Sequence, residues 1–271
     1  MCGLCGILFE KRRRTAKDLH HLLDIFTRLL LLSESRGRHA SGIGWIKRDG
    51  SCGIFKAALP ASELVRQKSY SEALAAMDNK TTILMGHTRW RMKGSETNND
   101  NNHPLVLAPE GSAQDAPTLL LTHNGHIMNA DALFRRFRFP RTAEVDSEIL
   151  LHCAAATAVR ATWDVACLRQ RLALCQGTMT AIMASAAVPR NILIAKAKKP
   201  LSLLYNHRRR VIVYASEMSL LVEALGDTEG WKEIHLPPMT LAIFDYERLV
   251  DYREETFRLG RTASLGRWAC R

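Results

Sequence analysis

Predicted β-strands in this chain come in groups, with helices clustered between the groups, and this order limits the folds that the chain can adopt. The clearest helix spans residues 15–32, where leucines and Phe26 recur at the three-and-four spacing of one helical face. Four later strands follow one another without a helix between them, at residues 178–185, 191–197, 201–205 and 211–215. A parallel doubly wound sheet needs strict alternation of strand and helix. The order therefore predicts an α+β fold with antiparallel sheets.

Weaker patterns complete this prediction. The Asp49-Gly50 pair favours a hairpin between a strand near Ile46 and a strand at residues 52–57. Other strands are predicted at residues 4–9, 82–88, 118–122 and 239–245, and other helices at residues 62–77, 130–138, 146–160, 163–174 and 217–225. Asp146 is a suitable N-cap for the helix that follows it.

Two segments lack apolar periodicity. Residues 93–104 are rich in Asn, Asp, Ser and Gly, and a polar loop of this length is usually functional or disordered. From residue 248 onward the chain is charged, which predicts a tail. We therefore expect one domain over residues 1–247 and a charged C-terminal tail over residues 248–271.

The formal net charge of +11 comes largely from arginine clusters. Such a surface could meet nucleic acid or an acidic partner, or could simply be solvated. Apolar runs long enough to span a membrane are absent, and the N-terminus lacks the pattern of a signal peptide, so we expect no membrane association and a cytoplasmic location. Seven cysteines, an odd number with irregular spacing, favour reduced thiols over a disulfide framework.

Cys2 directly follows the initiator Met1. Removal of Met1 would leave Cys2 with a thiol and a free α-amine, whose pKa is roughly 7.7 to 8.0 in a model peptide. One residue would then hold both a nucleophile and a general base. Alternatively, Cys2 is a small apolar residue at the start of a buried strand, or forms a redox pair with Cys5. A zinc site is disfavoured because no second Cys pair or His pair lies nearby.

Six short segments occur in an order that resembles one family. They are MCGLCG, RGRHASG, GHTRW, NNHPL, THNG and VDSE. Together they resemble the glutaminase domain of class II glutamine amidotransferases, as found in glucosamine-6-phosphate synthase. These are N-terminal-nucleophile hydrolases with a processed N-terminal cysteine. The resemblance implies a four-layer αββα sandwich, in which two antiparallel sheets are flanked by helices, and it implies no cofactor and no metal.

The resemblance also implies roles for individual residues. Cys2 would attack the side-chain amide of L-glutamine, and the oxyanion would be bound by the Asn124 side chain and the Gly125 backbone N–H. Arg89 would bind the α-carboxylate of glutamine, and Asp146 its α-ammonium. The remaining matches are a flap from Trp90 to His103 that closes over the substrate, and two supporting residues, Arg36 and His87.

The chain departs from the family pattern at two places. The family has Thr and His where Met92 and Lys93 stand, so contacts between the flap and glutamine are in doubt. The family aspartate of RGxDSAG is His39, and Ala40 and Ser41 stand in swapped order, which puts the role of that loop in doubt.

Three functions remain open at this point. The first is a stand-alone glutaminase that passes ammonia to a separate synthase subunit, because few residues follow residue 245. The second is a hydrolase of another γ-glutamyl amide without ammonia transfer. The third is a basic, nucleic-acid-associated protein that keeps the same fold.

Overall fold

The computed structural model describes residues 1–107, 119–159 and 162–260. Its strands are β1 (Gly3–Phe9), β2 (Ala40–Lys47), β3 (Cys52–Ala57), β4 (Thr81–Arg89), β5 (Leu105–Leu107), β6 (Leu119–Ile127), β7 (Ala158–Val159), β8 (Thr162–Trp163), β9 (Gly177–Ser185), β10 (Asn191–Lys196), β11 (Ser202–Asn206), β12 (Val211–Ala215), β13 (Trp231–Ile234), β14 (Thr240–Asp245) and β15 (Arg248–Thr256). Its helices are α1 (Ala16–Ser33), α2 (Ala61–Leu64), α3 (Lys68–Ala75), α4 (Ala130–Phe137), α5 (Glu148–Ala155), α6 (Val165–Leu172) and α7 (Met218–Leu225).

Two antiparallel sheets form the centre of the molecule. The first has the order β13-β11-β12-β1-β4-β2-β3, and the second has the order β15-β14-β10-β9-β6-β5. A separate pair joins β7 and β8. The predicted α+β class with antiparallel sheets is therefore confirmed.

Side chains alternate between the two faces of each sheet and so define the layers. In β1, Leu4 and Leu8 belong to the core between the sheets, together with Leu120 of β6. Cys5 and Ile7 point the other way, into a core formed with α1 and α7. A third core lies between the second sheet and α4, α5 and α6. The layers are thus helix, sheet, sheet, helix, as the αββα prediction requires.

This alternation separates Cys2 from Cys5. Cys2 lies on the same side of the strand as Leu4, whereas Cys5 is fully buried beneath α1. Burial raises the pKa of the Cys5 thiol to about 12. Cys5 is therefore an inert core residue, and the redox-pair alternative has no support in this geometry.

Local chemistry explains where the clearest elements begin and turn. Thr15 caps α1, because its side-chain oxygen accepts from the Asp18 N–H at 3.1 Å and its own N–H donates to the Asp18 carboxylate at 3.4 Å. The β2–β3 hairpin turns at Gly50, whose φ of 84° suits glycine. The helix and the hairpin turn both lie where the sequence predicts them.

Several predictions are wrong. The tail predicted from residue 248 begins instead with β15, which pairs with β14 at the edge of the second sheet, while residues 261–271 lie outside the described residues. The helix predicted over residues 62–77 is two short helices, α2 and α3. The strands β5, β7, β8 and β13 were not predicted. The expectation of reduced thiols is wrong at Cys167, which is disulfide-bonded.

Within the described residues no helix is long and apolar enough to cross a membrane. The same part of the chain contains no group of three or more His, Cys, Asp or Glu side chains arranged to hold a metal ion.

Candidate active site

Cys2 directly precedes β1, a central strand of the first sheet. β1 pairs with β12 on one side and with β4 on the other. Gly3 lies opposite Thr88, and a Cβ atom at Gly3 would be 2.4 Å from Thr88 Oγ1 and 2.9 Å from the Ser33 carbonyl oxygen. The absence of a side chain therefore lets the start of β1 lie directly against β4 and the end of α1.

Arg36 holds the backbone of Cys2. Its Nε donates to the Cys2 carbonyl oxygen at 3.0 Å, and its Nη1 forms an ion pair with Glu217. The Arg36 side chain is only 6% exposed, so its position is set by the surrounding structure. The predicted supporting residue thus contacts the nucleophile candidate directly.

The Cys2 thiol is a protonated group in a mixed electrostatic environment. Its Sγ lies 3.7 Å from the Trp90 carbonyl oxygen. Burial raises the pKa of the thiol, and Asp146 adds to this, while a backbone hydrogen bond with Trp90, the amino terminus and Arg89 oppose it. A base is therefore needed to form the thiolate at neutral pH. Met1 precedes the thiol and is 59% exposed.

Arg89 is a buried cation bound only by neutral acceptors. Its Nη1 donates to Asn102 Oδ1 at 2.9 Å, and its Nη2 donates to the carbonyl oxygens of Lys93 and Gly94 at 2.6 and 2.8 Å. Among the described residues it forms no ion pair. Burial lowers the pKa of its guanidinium. Cys2, Glu96 and Glu144 oppose this effect electrostatically, but neither carboxylate pairs with Arg89. A buried cation without an ion pair is costly, so this position favours an anion.

The loop after Arg89 is ordered by its asparagines. Asn102 is fully buried and donates to the Glu96 carbonyl oxygen at 2.7 Å, while Asn101 donates to Glu144 at 2.8 Å. Lys56 donates to the Asn102 carbonyl oxygen at 2.7 Å, and burial lowers the pKa of Lys56 to about 8. The sequence suggested a functional or disordered loop, and the structure shows a hydrogen-bonded one.

Three predicted flap residues lie in different environments. Trp90 and Met92 are 48% and 74% exposed, respectively, whereas His103 is buried. The His103 ring stacks on the His87 ring with centroids 4.2 Å apart. Neither nitrogen of the His103 ring has a hydrogen-bond partner among the described residues. Trp90 and Met92 are accessible to a ligand. His103 lies in the interior, so its predicted contact with substrate stays a prediction.

His87 links the two sheets. It is fully buried, and its Nε2 lies 3.1 Å from the carbonyl oxygen of His123 in β6. Since a carbonyl only accepts, Nε2 must carry the proton. Burial lowers the pKa of His87 to about 3, so the ring is neutral at physiological pH. His87 therefore fixes the backbone of β6 immediately before Asn124.

Asn124 and Gly125 lie within β6, not in a turn after it. Asn124 faces the first sheet, on the same side of β6 as Leu120, and its Nδ2 has no hydrogen-bond partner among the described residues. Gly125 has a φ of 155°, and a Cβ there would be 2.1 Å from the Thr178 carbonyl oxygen. The site thus offers a buried amide donor without an acceptor, beside a residue that can only be glycine.

Asp146 does not cap a helix as predicted. α5 begins at Glu148 with Ser147 as its N-cap residue. The Asp146 carboxylate instead accepts from the Ile127 N–H and lies 3.3 Å from His126 Nδ1. It also acts electrostatically on the Cys2 thiol. Its carboxylate is therefore near the site and is not used for capping.

The two departures from the family pattern are accommodated locally. His39 Nδ1 accepts from the Arg91 N–H at 3.0 Å, and the His39 ring packs edge-on against Trp90 with centroids 5.0 Å apart. The Lys93 ammonium is 2.9 Å from both Asp131 carboxylate oxygens. His39 therefore supports the turn beside the thiol, and the Lys93 side chain points away toward α4.

Sequence reasoning missed three residues of this site. Asn102 bonds Arg89, Ser147 Oγ lies 2.7 Å from His123 Nδ1, and Glu217 pairs with Arg36. Ser147 belongs to the VDSE segment and Asn102 to the NNHPL segment, so both were within recognised motifs. The structure is needed to show which atoms they contact.

The Cys2 thiol lies within electrostatic reach of the Arg89 guanidinium and the Asp146 carboxylate, and Asn124 on the facing sheet carries a buried amide donor without a partner among the described residues. The thiol can form a covalent bond with a carbonyl carbon, and the amide donor can bind the oxygen that becomes charged. The guanidinium and the carboxylate can bind the two charged ends of an amino acid. These are the groups that a cysteine nucleophile acting on an amino-acid amide would require, and they lie on an αββα sandwich.

No family model matches the chain. Glutamine–fructose-6-phosphate aminotransferase of Lactococcus lactis is 24% identical over 255 residues, which cover 93% of this chain and 37% of that protein. 7-Cyano-7-deazaguanine synthase of Saccharolobus solfataricus is 23% identical over 223 residues, covering 80% of this chain and 43% of that protein. The chain thus spans less than half the length of these relatives.

A solved structure has the same fold. The glutamine phosphoribosylpyrophosphate amidotransferase from B. subtilis matches with a TM-score of 0.68 at 19% identity, covering 94% of this chain and 49% of that one. The two chains thus share a fold. In sequence the chain resembles the class II glutamine amidotransferases, and these findings support an enzyme with a glutamine amidotransferase domain.

Proposed function

We propose that this protein hydrolyses L-glutamine to glutamate and ammonia through a thioester on Cys2, and that the ammonia is passed to a synthase on a separate subunit. The observation that carries the proposal is the proximity of the Cys2 thiol to the Arg89 guanidinium. The two residues lie at the adjoining ends of the paired strands β1 and β4, the guanidinium acts electrostatically on the thiol, and Arg89 forms no ion pair among the described residues.

The first half of the reaction transfers the glutamyl group to sulfur. Removal of Met1 frees the Cys2 α-amine, which accepts the thiol proton as Sγ attacks the amide carbon of glutamine. The carbonyl π electrons move to oxygen, and this oxyanion accepts hydrogen bonds from Asn124 Nδ2 and the Gly125 N–H. The C–N bond then breaks, and the α-ammonium of Cys2 gives its proton to the departing nitrogen, which leaves as ammonia.

The second half regenerates the thiol. Water attacks the thioester carbon, and the α-amine takes a proton from that water. The C–S bond breaks, glutamate forms and the sulfur regains a proton. In this scheme Arg89 binds the α-carboxylate of glutamine and Asp146 binds its α-ammonium. Trp90 covers the bound substrate.

The test uses protein whose Met1 has been removed, as confirmed by intact mass. We expect steady-state release of glutamate from glutamine, loss of this activity in Cys2→Ala, and normal activity in Cys52→Ala as the matched cysteine control. A glutamine analogue with an electrophilic carbon in place of the amide should add its mass to the Cys2 peptide. Equal background rates for the wild type and Cys2→Ala, with and without candidate synthases, would sink the proposal.

A second candidate function is hydrolysis of a different γ-glutamyl amide without ammonia transfer. It is favoured by Met92, which is 74% exposed where the family pattern has threonine, and by Lys93, which is bound to Asp131. A panel of γ-glutamyl amides and peptides separates the two functions. A kcat/KM for a γ-glutamyl peptide well above that for glutamine would favour the second.

A further inference from the structure

A cavity of about 860 Å³ lies at the end of the first sheet remote from Cys2. It is enclosed by the start of α1, the turn between β11 and β12, and the connection from α7 to β13. Since β1 has seven residues, the cavity lies roughly 20 Å from Cys2 along the strand. Its volume falls within the range of roughly 300–1,000 Å³ that is typical of small-molecule sites.

One wall of the cavity carries three arginines without carboxylate partners. Arg12, Arg208 and Arg209 all line it, and none forms an ion pair in the described part of the chain. Arg12 donates only to the Arg208 carbonyl oxygen. By contrast, the neighbouring Arg210 pairs with Glu10 at 3.2 Å. Asp18 also lines the cavity within electrostatic reach of Arg12 and Arg209, but its carboxylate is bound by Thr15 and forms no ion pair with them, so the guanidiniums can still bind an anion.

A fourth arginine holds that wall in place from below. Arg14 is only 7% exposed, and its Nη2 donates to the carbonyl oxygens of Arg210, Glu10 and Arg209 at 2.8, 3.0 and 3.3 Å. Its Nε has no hydrogen-bond partner among the described residues. Arg14 thus holds the turn at residues 208–210 through its backbone carbonyl groups. The side chains of Arg208 and Arg209 are not used for these bonds.

The rest of the lining has different chemistry. Asp227 and Glu229 are exposed carboxylates, and the Glu229 N–H donates to Asp227 Oδ1 at 2.8 Å, which orders the connection. Ile25, Leu225 and Trp231 add apolar atoms to the lining. Carboxylates accept hydrogen bonds from hydroxyl and amino groups. The cavity therefore suits a molecule that has both an anionic group and a polar, donor-rich body.

We infer that this cavity binds a phosphorylated small molecule of nucleotide or sugar-phosphate size. Arg12, Arg208 and Arg209 hold the phosphate, and Asp227 and Glu229 accept hydrogen bonds from the hydroxyl or amino groups of the body. Phosphate matches the planar guanidinium fork, which donates two parallel hydrogen bonds. The site is separate from the proposed glutaminase site, and its test does not depend on that activity.

Calorimetric titration of the whole chain tests the inference with five probes: AMP, ATP, ribose 5-phosphate, inorganic phosphate and a 5′-phosphorylated oligonucleotide. We expect saturable binding of a mononucleotide or of the sugar phosphate, with inorganic phosphate weaker because it lacks the body that Asp227 and Glu229 would bind. The double variant Arg208→Ala/Arg209→Ala should weaken binding at least tenfold, and Asp227→Asn should weaken the complete molecules but not inorganic phosphate. The control is Arg66→Ala, an exposed arginine outside the cavity.

Melting curves establish that the double variant is folded, and Arg12→Ala provides an independent variant on α1's side of the cavity.

Three results overturn the inference. One is the absence of saturable binding by every small probe. The second is equal binding by the wild type and both arginine variants. The third is oligonucleotide binding that AMP, ATP and ribose 5-phosphate do not displace and that falls steeply with salt, which identifies a nucleic-acid surface instead.

Discussion

The Nε atom of Arg36 lies 3.0 Å from the carbonyl oxygen of Cys2 and donates a hydrogen bond to it. Arg36 is itself held by the ion pair with Glu217 at the start of α7. The residue that would be the N-terminal nucleophile is thereby fixed at its backbone, although chain ends usually move freely. A nucleophile held in place needs less reorganisation to reach its target.

Replacement of Arg36 by methionine should lower glutaminase kcat about 10- to 100-fold and leave KM within a few-fold. A hydrogen bond to a charged group contributes about 1.5–3 kcal/mol, and each 1.4 kcal/mol on the barrier is about tenfold in rate. Steady-state kinetics of Arg36→Met and of Arg38→Met give the comparison, since the Arg38 side chain is 71% exposed. A raised KM with unchanged kcat would contradict a positioning role.

Substitution of Asn124 by alanine should lower kcat by about 10²–10³, the usual effect of removing one oxyanion donor. The unfolding free energy of this variant should change little, because Asn124 Nδ2 has no partner to lose among the described residues. Kinetics and urea unfolding measured together separate the two effects. Asn191→Ala, on β10 of the same sheet, is the matched control and should keep full activity. Loss of fold in Asn124→Ala would show that its role is structural.

Gly125→Ala should destabilise the protein by about 1–3 kcal/mol or more through overpacking, because the new Cβ would lie 2.1 Å from the Thr178 carbonyl oxygen. Gly226→Ala is the control: Gly226 has a φ of 70°, but a Cβ there meets nothing within 4 Å. At Gly125 this overpacking adds to the conformational cost of a positive φ, whereas at Gly226 only the conformational cost of roughly 1–2 kcal/mol is expected. Equal unfolding free energies for the two variants would refute a steric role for Gly125.

Stability should fall as pH drops below about 6.5, the ordinary pKa of histidine. The folded-state pKa of His87 is about 3, so between these values the unfolded chain takes up a proton that the folded chain excludes. His87 alone should remove about 2 kcal/mol of unfolding free energy by pH 5. Urea unfolding across this range gives the slope of the unfolding free energy against pH. In His87→Gln this slope should correspond to about one proton fewer than in the wild type. His20→Gln, at a side chain that is 80% exposed, should keep the wild-type slope.

Much of the fold follows from periodicity. The three-and-four spacing of α1 and the Asp49-Gly50 turn both lie where predicted, because each depends on neighbours in the sequence. β15 was missed because exposed charged residues dominate it, as is common at a sheet edge. The Asn124-Gly125 pair reads as a turn when taken alone, yet β6 continues through it because β9 pairs with it along its whole length. Long-range pairing of this kind has no local signal.

The residues of the candidate site could be named from motif order, but their contacts could not. Asp146 has the composition of a helix cap, and only the structure shows that its carboxylate accepts from Ile127. His103 stands in a polar segment, yet it stacks on His87 in the interior. In both cases the deciding partner lies far away in sequence, so neither propensity nor spacing could identify it.

The hydrogen bonds of Arg89 have a consequence for ligand affinity. The carbonyl oxygens of Lys93 and Gly94 and the side chain of Asn102 occupy the donors that a substrate carboxylate would use. On the proposed function, the protein's own loop is an intramolecular competitor of glutamine. Binding then includes the free energy of releasing that loop, and the measured dissociation constant equals the intrinsic one divided by the fraction of molecules with Arg89 released. Substitutions that loosen the loop should therefore tighten glutamine binding while they destabilise the empty protein.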